Sequence, residues 1–391
     1  VLLHRQGRID EAKQHYEKAL AQRPDYLDAM NNLGNILREQ GLAEQAVSLY
    51  EKILERDQNH AEAWANLGAA RKDLGDTDQA VACYEKALAV RPDYLDALLN
   101  LTRILQQLGR LTEAEDAARR AISLRDDDET RFRLAAVLQE QGRTDEAAED
   151  FQRCLELSPE DSWGARLCLA RLGKADAPER APDAFVRSLF DYYAVHFDAH
   201  LQEALEYKGP TVLLEALAGF IEPEARPDVL DLGCGTGLCG VVLKPYAKTL
   251  AGVDLSPGMI EQARRREIYD DLAVGEVTSH LQNRPGAFDL VAAGDVLVYL
   301  GELGPVLKAA AGALRPDGLL VFTVERQDEP GYSLGDSMRY AHSRDYLEQT
   351  ARQAGFEVKL LREASTRKEV ETPVPGWVAV LRRRKRVNTR V

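Results

Sequence analysis

Val229-Leu230-Asp231-Leu232-Gly233-Cys234-Gly235-Thr236-Gly237 decides how the second half of this chain folds. Apolar residues around one acid, ended by glycines at alternate positions, predict a buried strand that runs into a tight turn. Glycine lets backbone approach a ligand with no Cβ in the way, and the next helix presents its N-terminus to it. A second acid closes the following apolar run, Gly252-Val253-Asp254-Leu255-Ser256. A carboxylate there can accept from both hydroxyls of a ribose. Outward from these two runs, β-rich stretches predict strands over 228–232, 249–253, 288–292, 319–324, 358–361 and 377–381. Helical patterns separate them. Such alternation predicts an α/β domain with a mostly parallel sheet, its ligand lying beyond the carboxyl ends of the strands.

Two ligand classes use this layout. Gly235-Thr236-Gly237-Leu238-Cys239-Gly240 matches the dinucleotide pattern G-x-G-x-x-G, with Asp254 at a plausible distance. Counted from Gly233, the same loop reads G-x-G-x-G. Asp231 favours the second reading, because an acid before the turn repels a pyrophosphate and attracts the ammonium of a methionine moiety. The expected ligand is S-adenosylmethionine, with a nicotinamide dinucleotide as the alternative.

Residues 184–381 resemble a class I S-adenosylmethionine-dependent methyltransferase over nearly their whole length. The resemblance implies a Rossmann-like fold and assigns roles to particular residues. Asp231, Gly233, Gly235 and Gly237 fall in the first motif, and Asp254 matches the ribose-binding acid. Leu255 and Met259, in Leu255-Ser256-Pro257-Gly258-Met259, would flank the adenine. Glu276 would accept from the exocyclic amine, and the backbone N–H of Val277 would donate to the ring. Phe288 to Leu297 matches the fourth motif, with Asp295 facing cofactor and substrate. Leu314-Arg315-Pro316-Asp317-Gly318 matches the turn into the fifth strand. Ahead of the sheet, Phe190-Asp191-Tyr192-Tyr193-Ala194-Val195-His196-Phe197-Asp198-Ala199-His200-Leu201 resembles a subset of bacterial methyltransferases that also carry tetratricopeptide repeats. In the wider class this helix is a lid, so Tyr193, Phe197 and His200 are expected to close the pocket.

On the substrate side the candidates are Asp295, Tyr299, Glu325 and the cluster Arg339-Tyr340-Ala341-His342. Methyl transfer is an in-line displacement, and it needs a base only when the acceptor must lose a proton. His342 titrates near neutrality and is the expected base, acting with Asp295 and Tyr299. The Asn/Asp-Pro-Pro-Tyr signature of amide and adenine N-methyltransferases is absent, since Gly294-Asp295-Val296-Leu297 stands in its place. Cys234 and Cys239 read as small packing residues.

The first half repeats itself. Gly7, Gly41, Gly75, Gly109 and Gly142 are 34, 34, 34 and 33 residues apart, each followed five residues later by an alanine. Aromatics recur at Tyr16, Tyr50, Tyr84 and Phe151, and prolines at Pro24, Pro92 and Pro159. Leu33-Gly34 and Leu67-Gly68 mark first helices of two units. The small residues are expected to let paired helices approach, and the aromatics to fill the gap between neighbouring units. This pattern resembles the tetratricopeptide repeat family over roughly residues 1–160, an all-α solenoid in which the first repeat keeps only its second helix. Residues 162–172 are expected to cover the last apolar face. Asn32, Asn66 and Asn100 recur at one position in three first helices. Their amides are candidates to hold a peptide backbone along the groove; groove solvation is the plainer alternative, and Arg133 interrupts the row.

The resulting domain order is a solenoid over 1–172, a linker over 173–183 with two prolines, an enzyme domain over 184–386 and a tail over 387–391. Lys+Arg total 50 and Asp+Glu total 64, a formal charge of −14. That balance argues against nucleic-acid backbones and anionic membranes, which need clustered cations. No apolar run approaches the length of a membrane span. Five cysteines form no CxxC pair and stand near no histidine at ligand spacing, so disulfides and metal are not expected and the compartment reads as cytoplasmic. Val1-Leu2-Leu3-His4-Arg5 lacks a signal-peptide layout, and a missing Met with a half repeat suggests a start inside a longer chain. The expected function is methylation of a protein or peptide recruited by the repeats. A small-molecule acceptor with partner-binding repeats is one alternative, and a non-enzymatic scaffold with a vestigial cofactor domain is another.

Overall fold

The periodic glycines turn one helix back along the next. In the computed structural model, which describes residues 2–5, 8–194, 197–198, 207–221, 225–369 and 372–385, Gly41 takes φ 77° between helices Leu27–Glu39 and Ala43–Arg56. Such a φ is open to glycine and strained for other residues. Gly7, His200 and the tail 387–391 lie outside the described residues. The chain forms two units, Val1–Leu157 and Ser158–Val391.

In the first unit the same hairpin recurs as Ala61–Asp73 with Thr77–Val90, Leu95–Gln107 with Leu111–Leu124, and Asp128–Glu140 with Thr144–Leu157. The helices Leu2–Arg5 and Ile9–Gln22 precede them. Alanines at the helix contact are fully buried, as at Ala46, Ala80, Ala114 and Ala147. The aromatics belong to clusters that reach the next unit, Tyr50 with Ala63 and Leu67 and Tyr84 with Leu98 and Leu101, and they also pack within their own hairpins. Tyr50 fills space inside its own hairpin, where a Cβ on Gly34 would stand 2.7 Å from its ring. Gly68 makes the same room for Tyr84. Burying rings of this size contributes roughly 1.5–3 kcal/mol each.

The second unit is built on a sheet. Its strands are β1 (Asp228–Leu232), β2 (Thr249–Asp254), β3 (Asp271–Val274), β4 (Phe288–Ala293), β5 (Leu314–Arg326), β6 (Tyr332–Leu334), β7 (Tyr340–His342), β8 (Phe356–Ala364), β9 (Lys368–Glu369), β10 (Thr372–Pro373) and β11 (Gly376–Arg383). The main order is β3-β2-β1-β4-β5-β11-β8, with the β6–β7 hairpin joined to β5 and β9–β10 a separate ribbon. β1 is central and pairs in parallel with β2 and β4. β11 runs antiparallel between β5 and β8. Alternation along each strand feeds two cores. Leu230, Leu232, Val253 and Phe322 pack with Leu303, Leu307 and Leu347 on one face. Val229, Leu250, Leu290 and Val321 pack with Leu213 and Leu217 on the other. Strand order reverses between β1 and β4, so a cleft opens there at the carboxyl edge.

Two segments ahead of the sheet depart from the expected domain plan. Leu167, on the helix Ala165–Arg171, is buried with Ala181, Val298, Tyr299 and Tyr340 inside the second unit. The stretch expected as a linker is tied down near its end. The Ala181 N–H donates to the Tyr299 carbonyl at 2.8 Å, and the Glu179 carbonyl accepts from Gly301 and Glu302. Among the described residues no helix is long and apolar enough to cross a membrane.

Candidate active site

The cleft between β1 and β4 is a cavity of about 360 Å³. Gly233, Gly235, Asp254, Leu255, Glu276, Val277, Asp295 and Tyr299 line it, and Tyr193 and Phe197 close it from the N-terminal side. The glycines of the loop divide their work. Gly235 holds φ 53°, and a Cβ there would meet only the Phe197 ring, 4.0 Å away. Its backbone is therefore an open cradle for a ligand. Gly237 and Gly240 instead make room for the Tyr269 ring; a Cβ on Gly240 would fall 2.2 Å from its hydroxyl.

Asp254, at the end of β2, accepts from the Gly235 N–H and the Ser256 N–H, each at 2.9 Å. Burial nonetheless raises its pKa above the ordinary carboxylate value. Glu276 caps the helix Val277–Gln282, accepting from Thr278 N at 2.9 Å and Ser279 N at 2.8 Å. Burial would push it up, but those N–H groups and Arg180 hold it below the usual range. Arg180 donates to Glu276 at 3.2 Å and also pairs with Asp183. The supposed linker thus reaches the cavity wall.

Asp295 follows β4 with φ 55°, a conformation costing a non-glycine residue on the order of 1–3 kcal/mol. Two threonines hold it there. Thr323 Oγ1 accepts from the Asp295 N–H and donates to its Oδ1, both at 2.9 Å. Thr366 Oγ1 donates to Oδ2 at 2.8 Å. Behind them Arg367, 3% exposed, binds Glu325 at 2.6 Å. The helix Asp183–Tyr193 is anchored across the opening. Asp191 accepts from the Gly258 N–H at 3.0 Å, and the Phe190 ring meets Phe197 and Tyr299 edge-on. Asp198 accepts from Thr236 Oγ1 and pairs with Arg266.

Several expected site residues lie off the cavity, among them the substrate-side candidates Glu325, Tyr340 and Ala341. Asp231 shares the sheet face of Val229, and Tyr269 Oη donates to it at 2.6 Å. It is 1% exposed, and burial pushes its pKa up to about 7, so it does not meet an ammonium in the cleft. Gly237 caps the helix Leu238–Leu243 against Tyr269. Met259 is fully buried on the inner side of the helix Pro257–Arg265. His342 is fully buried in β7, with Nε2 3.1 Å from the Gly301 carbonyl. Burial lowers its pKa to about 4, so it is neutral and away from the cleft rather than a base in it. Burial also raises the thiols of Cys234 and Cys239, which keeps them protonated, in keeping with a packing role. Sequence reasoning missed Arg180, Tyr207 and Arg367 on the wall; no motif marks them. In the first unit the asparagine amides are partly committed. Asn32 and Asn100 donate to the carbonyls of Asp28 and Asp96 in their own helices, and Asn66 donates to Asn31.

Residues 230–322 match the family described as methyltransferase domain. The second unit carries a methyltransferase domain. Tetratricopeptide-repeat families match residues 3–70, 61–94, 95–125 and 129–161, so the first unit holds tetratricopeptide repeats. The chain is similar to the biotin biosynthesis bifunctional protein BioHC of Saccharophagus degradans, 26% identical over 162 residues, 41% of this chain and 27% of that one. It is similar to the 18S rRNA (guanine-N(7))-methyltransferase of Bos taurus, 41% identical over 75 residues, 19% of this chain and 27% of that one. An S-adenosylmethionine-dependent methyltransferase structure from Mesorhizobium loti aligns at 19% identity and TM-score 0.35, covering 43% of this chain and 96% of the other. The chain therefore spans about a quarter of the length of these two curated relatives.

The cofactor this domain implies is S-adenosylmethionine. The residues present fit it. Gly235 leaves a cradle that a side chain would fill, and Asp254 offers carboxylate lone pairs at the edge of that cradle.

Proposed function

We propose that this chain is an S-adenosylmethionine-dependent methyltransferase whose repeats recruit a protein or peptide acceptor. The observation that carries the reading is the joining of an open glycine cradle, the Asp254 carboxylate and the rigidly held Asp295 in one cavity. S-adenosylmethionine supplies a methyl group on a positively charged sulfur. Asp254 would hold the ribose hydroxyls, and the backbone at Gly235 would lie along the cofactor. Val277 and Leu255 would form an apolar seat for the adenine, with Glu276 at its edge. Phe190, Phe197 and Tyr299 would exclude water from the far end. Asp295 would orient the acceptor and take a proton from it when the attacking atom carries one. An acceptor carboxylate would need no base at all. The asparagines Asn32, Asn66 and Asn100 would line the repeat groove, where the oxygens of Asn32 and Asn66 would accept from a peptide backbone; that of Asn100 already accepts from Arg103 at 3.2 Å.

A second reading gives the enzyme a small-molecule acceptor. The aromatic enclosure of the cavity favours it. Two measurements test these readings. Calorimetric titration with S-adenosylhomocysteine should show binding that Asp254→Asn weakens about 10- to 100-fold, the range of one or two hydrogen bonds to a charged group. No binding to the parent chain would leave only a scaffold. Lysate incubated with the full chain and methyl-labelled cofactor should carry label on polypeptides; label confined to small metabolites would sink the peptide reading and leave the second.

A further inference from the structure

Two arginines on the cavity wall are differently satisfied. Arg180, on the side of Glu276, is neutralised by Glu276 at 3.2 Å and by Asp183. Arg339 stands in the connection just before β7, beside the carboxyl ends of β4 and β5. The Glu325 carboxylate near it stands off at 3.8 Å. Its Oε1 faces Nη1 beyond hydrogen-bond reach, and the same oxygen is bound by Arg367 at 2.6 Å. Asp295 is occupied by Thr323 and Thr366. Among the described residues, then, Arg339 donates to no carboxylate. Its guanidinium lies 5.7 Å from the Tyr299 ring, and 23% of the side chain stays accessible. Burial works against its charge, but Tyr299, Asp295 and Glu325 overcome that and raise its pKa, so it remains a cation.

Arg339 has a side-chain hydrogen bond to Tyr299; a planar fork with donors to spare beyond that bond, held in a partly desolvated wall, is suited to a bidentate anion. Asp295 and Glu325 nearby make a singly charged carboxylate a better occupant than a dianionic phosphate. Position separates the two possible sources of that carboxylate. Asp254 and the Glu276 loop follow β2 and β3, while Arg339 lies by β5; β2 and β5 are three strand spacings apart, roughly 14 Å. That places Arg339 at the far end of the cleft from the groups assigned to the nucleoside. We propose that Arg339, with Tyr299 beneath it, recognises a carboxylate carried by the acceptor, which makes the substrate class a carboxylate-bearing molecule or side chain. The inference rests on the methyltransferase reading above.

The alternative source is the cofactor's own methionine carboxylate, and the test separates them on the full chain. S-adenosylhomocysteine and methylthioadenosine, which lacks the amino-acid group, are titrated calorimetrically into the parent, Arg339→Gln and Arg339→Lys. S-adenosylhomocysteine affinity should change by less than about threefold in Arg339→Gln. A loss of tenfold or more, with methylthioadenosine unaffected, would assign Arg339 to the cofactor and overturn the proposal. Straight-chain carboxylates of two to eight carbons, and their primary amides, are then titrated into the S-adenosylhomocysteine complex by tryptophan fluorescence. At least one carboxylate should bind about tenfold tighter than its amide to the parent, equally with it to Arg339→Gln, and in between to Arg339→Lys. Equal binding of acid and amide to the parent, or binding of neither, would overturn it while leaving the cofactor reading intact. Failure of S-adenosylhomocysteine to bind the parent would remove both.

Discussion

Asp231 and Asp254 end neighbouring strands, yet one is structural and the other faces the cleft. The difference is one of side-chain alternation. Asp231 points to the face covered by the helix Leu238–Leu243 and is closed in by Tyr269; Asp254 bends over the glycine loop. A fully enclosed acid has a consequence for stability. An unfolded aspartate titrates near ~3.9, whereas burial lifts folded Asp231 to about 7. Between those values the folded chain keeps a proton that the unfolded chain has released, so this group costs stability as pH rises from about 4 to 7. Asp231→Asn mimics the protonated acid and still accepts from Tyr269. The variant should gain on the parent by on the order of 3 kcal/mol between pH 4.5 and 7.5, read as a relative rise in melting temperature. A difference between variant and parent that does not change with pH would refute it. Buried His342 titrates with the opposite sign, which is why the comparison must be between variant and parent. Sequence alone named both acids because strand-end carboxylates share a pattern; which way each points depends on the helix packed over it.

Helices show the same dependence on neighbours. Alanine is favoured over glycine inside a helix by roughly 1 kcal/mol, less near an end. Gly312, exposed near the end of the helix Gly304–Ala313, has nothing within 4 Å of an added Cβ. Gly312→Ala should stabilise by about 0.5 kcal/mol. Gly34 has the Tyr50 ring 2.7 Å from that Cβ. Gly34→Ala should instead cost roughly 1–3 kcal/mol, the range for overpacking. Hydrogen exchange of the full chain, followed by peptide mass spectrometry, reads both: slower exchange around 304–313 and faster exchange over 27–56. Slower exchange at both sites would mean that propensity outweighs the ring. The repeat period was legible because its glycine turns, small contacts and aromatics recur at fixed offsets. β3 and the β6–β7 hairpin were not, being three or four residues long with mixed polarity. That hairpin is also what carries Arg339 to the cavity, so its setting could not be read beforehand, although the residue itself stood among the candidates. Arg367 and Arg180 arrive from segments without periodicity, and only tertiary packing brings them near Asp295 and Glu276.

Across the whole chain the charge of −14 is spread over both units, with residues 1–172 at −9 and residues 173–391 at −5. Many cations are already committed to acids a turn away, as in Arg8–Glu11, Arg110–Glu113, Arg143–Glu146 and Arg344–Glu348. Exposed pairs of this kind add little stability, about 0–1 kcal/mol each, but cations so paired are less available to a phosphate backbone. Two relatives are named for methylation of 18S rRNA, and they match this chain over only 75 and 68 residues. Catalytic likeness does not carry the polyanion-binding surface with it, because backbone affinity comes from summed cation–phosphate contacts rather than from the methyl-transfer cleft. The full chain should therefore show no saturable binding of a fluorescently labelled ~20-nucleotide single-stranded RNA at ~150 mM salt, with any Kd weaker than about 100 μM. Anisotropy titration measures this directly. Saturation at about 1 μM, weakening steeply as salt rises, would point to a cationic surface such as the run Arg382–Lys385, and would move the acceptor from a carboxylate-bearing polypeptide or metabolite toward nucleic acid.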